Sequence, residues 1–201
     1  MTSPAAPLRH QPQLPILAEN LITRVNEAAE HWSRSIRNSV DGVHIGQFRH
    51  VDHANASFLQ LVLAEHGWPG HRLVGVDGCR AAWRIALHAD QFDLQRAAVH
   101  LLHRAVAEDD APAWQEAHLQ DRTLIMGAQA QEWGTQYRIT PTGVHRCPVR
   151  EPAELDTRRA SVGLPPAATA MAALLDRLAV SRQAVDPTDG IDALLPLAGA
   201  A

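Results

Sequence analysis

Residues 81–95 read AAWRIALHADQFDLQ, and the fold turns on how that stretch is read. It opens as a buried helix carrying Trp83, Ile85, Ala86 and Leu87, then brings in His88 and Asp90. On a 3.6-residue period Arg84, His88, Gln91 and Gln95 share one stripe, while Ala82, Ile85, Ala86 and Ala89 point elsewhere. Four hydrogen-bonding side chains in a row require water or a ligand. Asp90 or Asp93 can break this helix and cap a second one running to about residue 107, and a break there takes Gln95 out of the stripe.

The same period organises the rest of the chain. Leu17, Leu21, Val25, Ala28, Trp32 and Ile36 make the apolar stripe of a long helix over about 14–39, with Glu27, His31, Arg34 and Asn38 as its polar stripe. A second helix is expected from Asp52, a good N-cap, burying Phe58, Leu61 and Val62. It stops at His66-Gly67-Trp68-Pro69, where Gly suits the position after the helix end and Pro forbids continuation. Asp77 then caps the helix of residues 81–95. Another helix runs from near Asp110, with Pro112 in its first turn, to Gly127.

From 131 to 149 the character changes: QEWGTQYRI and VHRCPV are strand-like runs joined by the turn sequence Thr140-Pro141-Thr142-Gly143, a hairpin. In it Gln136 is expected to be exposed, opposite Trp133 and Thr135. A short helix near 152–162 ends at Gly163, and a last helix turns Met171, Leu174, Leu175 and Leu178 inward. The expected fold is therefore a mainly α, single-domain helical bundle over 14–183 with one small β-hairpin. Loose ends are expected at 1–13, with three prolines, and at 184–201.

Composition narrows the function. The net charge of -4 and the absence of any basic run argue against nucleic acid as a partner. All 18 cationic side chains are Arg, so no lysine Schiff base or Walker-type lysine is possible. No apolar run approaches the roughly 20 residues that cross a bilayer, and the first residues lack a signal pattern, so no membrane partner and a cytoplasmic location are expected. Arg-only, Ala-rich usage fits a GC-rich bacterial genome. Cys79 and Cys147 lack CxxC spacing and read as small packing residues.

One residue sits where a core side chain belongs. In WQEAHLQDRTLIMG (114–127) Trp114, Ala117, His118, Asp121 and Ile125 share a face. A buried carboxylate must be paired or hydrogen-bonded. His118, His88 or Arg158 are the expected partners, since Arg122 lies about 100° round the helix. Asp121 is then either a buried ion pair fixing helix register or part of a reacting set. Arg158-Arg159 could equally be a solvated helix end beside the C-terminal dipole.

Taken together, Asp52 with Asn55, Gly67-Trp68-Pro69, His88-Ala89-Asp90 with Gln95, Asp121-Arg122, Gly134-Thr135-Gln136, and Arg158-Arg159 with Gly163-Leu164 resemble the motif order of an uncharacterised bacterial domain-of-unknown-function family: D-x-x-N, GWP, QHAD, DR, YGTQ and RR-x-x-x-GL. The similarity spans about 30–165 and implies that these polar residues belong to the family's pattern. It implies no activity. The chain departs from the pattern at Leu87, where the family has Gln, at Trp133, where it has Tyr, and at Glu30-His31, where Asp-Gln is expected. Altered neighbours around a retained acid/base set are what a changed ligand would produce.

Three functions compete. The first is a cofactor-independent enzyme for a small molecule or peptide, suited to hydrolysis, elimination or cyclisation in a biosynthetic setting. Its His88 is the general acid/base and Asp121 the partner that orients it. Arg84, Asp90, Gln95, Arg122, Trp133, Gln136, Arg158 and Arg159 hold an anionic or amide-bearing substrate. No cofactor and no metal ligand enters that reading. The second is a metal enzyme using His50-x-x-His53 or His100-x-x-His103, spacings that put two imidazoles on one helix face. The third is a non-catalytic protein that binds a ligand or peptide in a groove with exposed Trp side chains.

Overall fold

The computed structural model describes residues 11–38, 44–140 and 142–183, with side chains described outside 31–50 and 180–183. The described residues form a helical bundle with one hairpin. Helices α1 (Pro15–Asn38), α2 (His44–His66), α3 (His71–His88), α4 (Phe92–Ala107) and α5 (Ala113–Met126) come first. The strands β1 (Tyr137–Thr140) and β2 (Gly143–Arg146), a 3-10 turn (Pro152–Glu154), α6 (Leu155–Ser161) and α7 (Ala167–Gln183) follow. The expected tails lie almost wholly outside the described residues, but Gln13 and Leu14 donate backbone hydrogen bonds to Arg72 and Leu73 carbonyls at 3.1 and 2.8 Å.

α3 is the central element. It packs on α1, α2, α4 and α5, and Val74, Cys79, Ala82, Trp83, Ile85, Ala86 and Leu87 are buried among Leu21, Leu59, Leu102 and Leu119. Its start differs from the expected cap at Asp77. One helical turn begins at His71, then Gly75 breaks the helix at φ 73°, ψ 176°, backbone that essentially only glycine adopts. The first amides of that turn are satisfied from a distance: the Asp110 carbonyl accepts from His71 N at 2.7 Å, and its carboxylate accepts from Arg72 N at 2.7 Å. Asp110 thus serves α3 instead of starting α5, whose N-cap position is Pro112.

α2 begins eight residues too early for Asp52 to cap it: its first residue is His44, and Asp52 lies inside the helix. An N-cap preference marks where a helix can start, and nothing between Gln47 and Asp52 breaks one. Its inward face is Ala56, Leu59, Val62 and Leu63. Leu61, expected inside, is 70% exposed, and Phe58 is half-buried beneath the Arg24 guanidinium, 4.2 Å from its ring centre. On α7, Leu174 is buried but Leu175 is exposed, being about 100° further round the helix.

The hairpin is shorter than its apolar alternation suggests. Antiparallel pairing runs from Tyr137 with Arg146 to Thr140 with Gly143, and residues 131–136 form a loop. Two causes act on that loop. Gly134 has φ 64°, which breaks a strand, and the amides of Glu132, Trp133 and Thr135 are turned toward Asp121.

Candidate functional site

Asp121 is fully buried, as its place in the apolar stripe requires. Its partners are not the side chains expected. Oδ1 accepts from the amides of Glu132 at 2.7 Å and Trp133 at 3.1 Å, and Oδ2 accepts from Thr135 N at 3.0 Å and Thr135 Oγ1 at 2.9 Å. Burial pushes its pKa up, and these donors work against that push. Neither His88 nor Arg158 bonds to it among the described residues.

Around this anchor the other polar residues close a single knot. Gln131, fully buried, donates to the carbonyls of Gln136 at 3.0 Å and Cys147 at 2.9 Å, and accepts from Gln136 N at 2.8 Å. Gln136 is buried rather than exposed; its amide reaches Thr135 Oγ1 at 3.1 Å and the His118 carbonyl at 3.4 Å. Arg159, also buried, donates to the carbonyls of Trp133 and Pro165, both at 2.6 Å. Arg158 donates to the carbonyls of Glu132, Arg150 and Glu151. The donors of both arginines are thus used in fastening loop 131–136 and the 150–151 turn to α6. Sequence reasoning passed over Gln131, whose only signal is a glutamine between two loop residues.

The other end of α3 is arranged differently. The helix ends at His88, residues 89–91 turn, and α4 begins after Gln91. Gln95 does leave the stripe, and it turns back under α3: its Nε2 donates to the carbonyls of Ala86, Leu87 and Ala89 at 3.2, 3.4 and 2.8 Å. It closes the carbonyl end of α3. Gln95→Leu should leave those buried carbonyls unpaired and lower stability by about 2 kcal/mol, read as a shift in denaturant midpoint at constant slope; an unchanged midpoint would remove the capping role.

His88, half-buried on the last turn, makes no hydrogen bond among the described residues. Burial first, then the guanidiniums of Arg84 and Arg122, hold its pKa down at about 4, so the imidazole is neutral at pH 7. Arg122 is half-buried, and its Nε is closed off from solvent without a partner. That arrangement costs roughly 1–3 kcal/mol. Beside His88 the turn projects Asp90, exposed, toward α2. There burial and the Asp90 charge raise the Asp52 carboxyl to about 6. The Gln91 amide meets His53 Nδ1 at 3.0 Å and fastens the turn to α2 next to Asp52. Asp52 therefore joins the polar residues gathered at the α3–α4 turn, a placement that its cap-like context concealed. Asn55, one helical turn on, accepts from Arg24 at 3.2 Å.

Residues 32–182 match the family model described as "Family of unknown function (DUF6624)". The chain belongs to this family. No curated protein and no solved structure matches it. The resemblance drawn from the motifs is thus to an uncharacterised family, and within this DUF6624 domain the motif residues divide into two groups. Asp121, Gly134-Thr135-Gln136 and Arg158-Arg159 make the knot, while Asp52, His88-Ala89-Asp90 and Arg122 gather around the α3–α4 turn.

His50 has no described side chain; His100 is exposed; His103 meets Glu116 at 2.8 Å. Among the described residues no three His, Cys, Asp or Glu side chains are grouped to hold a metal ion. Among the described side chains the Trp groove finds no exposed indole, since Trp68 and Trp83 are buried and Trp114 and Trp133 half-buried; Trp32 lies outside them. No helix of the described residues is long and apolar enough to cross a membrane.

His118 supplies a test of the core electrostatics. It is buried against Trp83 and Trp114, its ring edge-on to both at 5.7 and 6.1 Å, and burial, then Arg159, lowers its pKa to about 4. Unfolded, the same imidazole binds a proton below about 6.5. Its contribution is therefore present above 6.5 and is lost as pH falls toward 4. His118→Phe should flatten the pH dependence of unfolding free energy between 4 and 6.5 by on the order of 2–3 kcal/mol. An unchanged slope would show that His118 charges in the folded state.

Proposed function

We propose that the protein is a cofactor-independent acid/base enzyme acting on a small molecule or peptide, with its reacting groups at the α3–α4 turn. One observation carries this: a half-buried His88, without a hydrogen bond among the described residues, and Asp52, which faces the Asp90 charge, meet the same turn, the proton affinity of His88 displaced downward and that of Asp52 upward. Environments that push titratable groups apart are how one site holds both a base and a hydrogen-bond donor at pH 7. The roles follow. Asp52, with a pKa of about 6, is ionised yet basic enough near neutrality to take a proton from a substrate C–H, N–H or water. His88, neutral, donates a ring N–H to the oxygen on which charge develops. Arg122 and Arg84 stabilise that charge. This distribution moves the base from His88 to Asp52 and gives Asp121 the task of holding the loop.

The reading suits proton abstraction followed by elimination or cyclisation, and water activation in hydrolysis. It is tested by incubating the wild type and Asp52→Asn with a bacterial metabolite extract and comparing masses. A feature consumed by the wild type and spared by the variant is the expected result and supplies the substrate. Identical profiles for the two proteins would overturn the proposal.

A further inference from the structure

We infer that Arg84, Arg122 and Arg138, which run from the end of α3 across α5 to the hairpin, form an oxyanion site, and that the substrate carries a carboxylate or phosphoryl group held there. The part about the substrate rests on the acid/base reading; the site itself does not.

The other arginines near this face are committed. Arg150 meets the Glu132 carboxylate at 2.7 Å, and Arg158 and Arg159 are bonded to backbone carbonyls. Arg84, Arg122 and Arg138 make no hydrogen bond or ion pair among the described residues. For Arg84 and Arg138, both exposed, water is sufficient. For Arg122 it is not, because its Nε is shut off from solvent and unpartnered. Its guanidinium interacts electrostatically with His88 and with Cys147, and among the described residues it pairs with no carboxylate. Cys147, buried at the base of the hairpin, feels the charge of both Arg138 and Arg122.

A half-buried cation without a counterion, flanked by two more cations and a neutral imidazole, is complementary to an acceptor-only group with several oxygens. A planar guanidinium suits carboxylate or phosphoryl oxygens better than a single carbonyl. The adjacent Asp121, about 100° round α5, spends its oxygens on the loop donors and makes no bond to Arg122 among the described residues. Arg138 stands on β1, opposite His145, so the knot that fixes the hairpin also sets the distance between Arg138 and Arg122.

The test needs no turnover. In ¹⁵N-labelled full-length protein, the arginine Nε–H signals are followed while inorganic phosphate or malonate is added at constant ionic strength, with chloride as the reference. The Arg122 signal is expected to move saturably with one of the two probes. Response to phosphate assigns a phosphoryl group and response to malonate a carboxylate. Arg122→Gln and Arg138→Gln should each weaken the binding, followed at the remaining signals, at least tenfold. Arg104→Gln, which removes an exposed charge on α4, should leave it unchanged. Linear, unsaturable shifts with both probes, or equal weakening in Arg104→Gln, would overturn the inference. Should binding hold while the wild type and Asp52→Asn give identical metabolite profiles, only the acid/base reading falls; should Asp52→Asn stop a reaction while no probe binds, only the oxyanion site falls.

Discussion

Asp121→Ala is expected to destabilise the protein by roughly 3 kcal/mol or more, the range for removing one member of a buried charged network. In a domain of this size that is a fall in melting temperature of about 6–12 °C. Among the described residues the carboxylate is the only acceptor for the amides of Glu132, Trp133 and Thr135, and a buried amide without an acceptor loses its full solvation. Asp121→Asn should do nearly as much harm, because one of its two terminal atoms would present N–H to an N–H. Hydrogen exchange at residues 132, 133 and 135 should accelerate together in both variants, reporting the loop's release from α5. The opposite pattern, unchanged melting and exchange with lost turnover, would make Asp121 a reacting group.

Why this role was out of sequence's reach is a matter of range. The apolar period of residues 114–127 correctly buried Asp121, because burial depends on neighbours three and four residues away on one helix. The partners are backbone amides 11 to 14 residues downstream, and an amide carries no side-chain signature. Side chains of opposite charge were the natural candidates. The same limit misread residues 131–136: Trp133, Thr135 and Tyr137 alternate as a strand would, but the amides a strand would pair were already claimed by Asp121, and Gly134 turns the chain. Helix ends fared better where the signal is steric. Gly67 before Pro69 and Gly163 before Pro165 stop α2 and α6 as expected, each with positive φ. Capping side chains were less informative, since Asp52, Asp77 and Asp90 all have cap-like residue types and none is the N-cap of its helix.

Asp52→Asn should act in the reverse sense to Asp121→Ala, stabilising the fold while abolishing turnover. Burial and Asp90 raise the Asp52 carboxyl to about 6, above its ordinary value of 3.8. Folding therefore favours its protonated form, so its contribution is complete below about pH 4 and is lost as pH rises through 6. At pH 7 the ionised group opposes folding, and replacing it with the neutral amide should gain on the order of 1–2 kcal/mol, a gain that vanishes near pH 4. The rate should fall by roughly 100-fold or more, the usual cost of removing a general base. In the wild type the acidic limb of the pH–rate profile belongs near pH 6. Asp90→Asn, by removing the like charge, should move that limb to lower pH and leave the plateau standing. His88→Ala should depress the plateau without moving the limb, since a neutral donor does not titrate in that range. A residue that costs stability and supplies rate is one kept for its chemistry. A limb that stays at pH 6 in Asp90→Asn, or an Asp52→Asn variant that melts lower at pH 7 than the wild type, would return Asp52 to the structural framework.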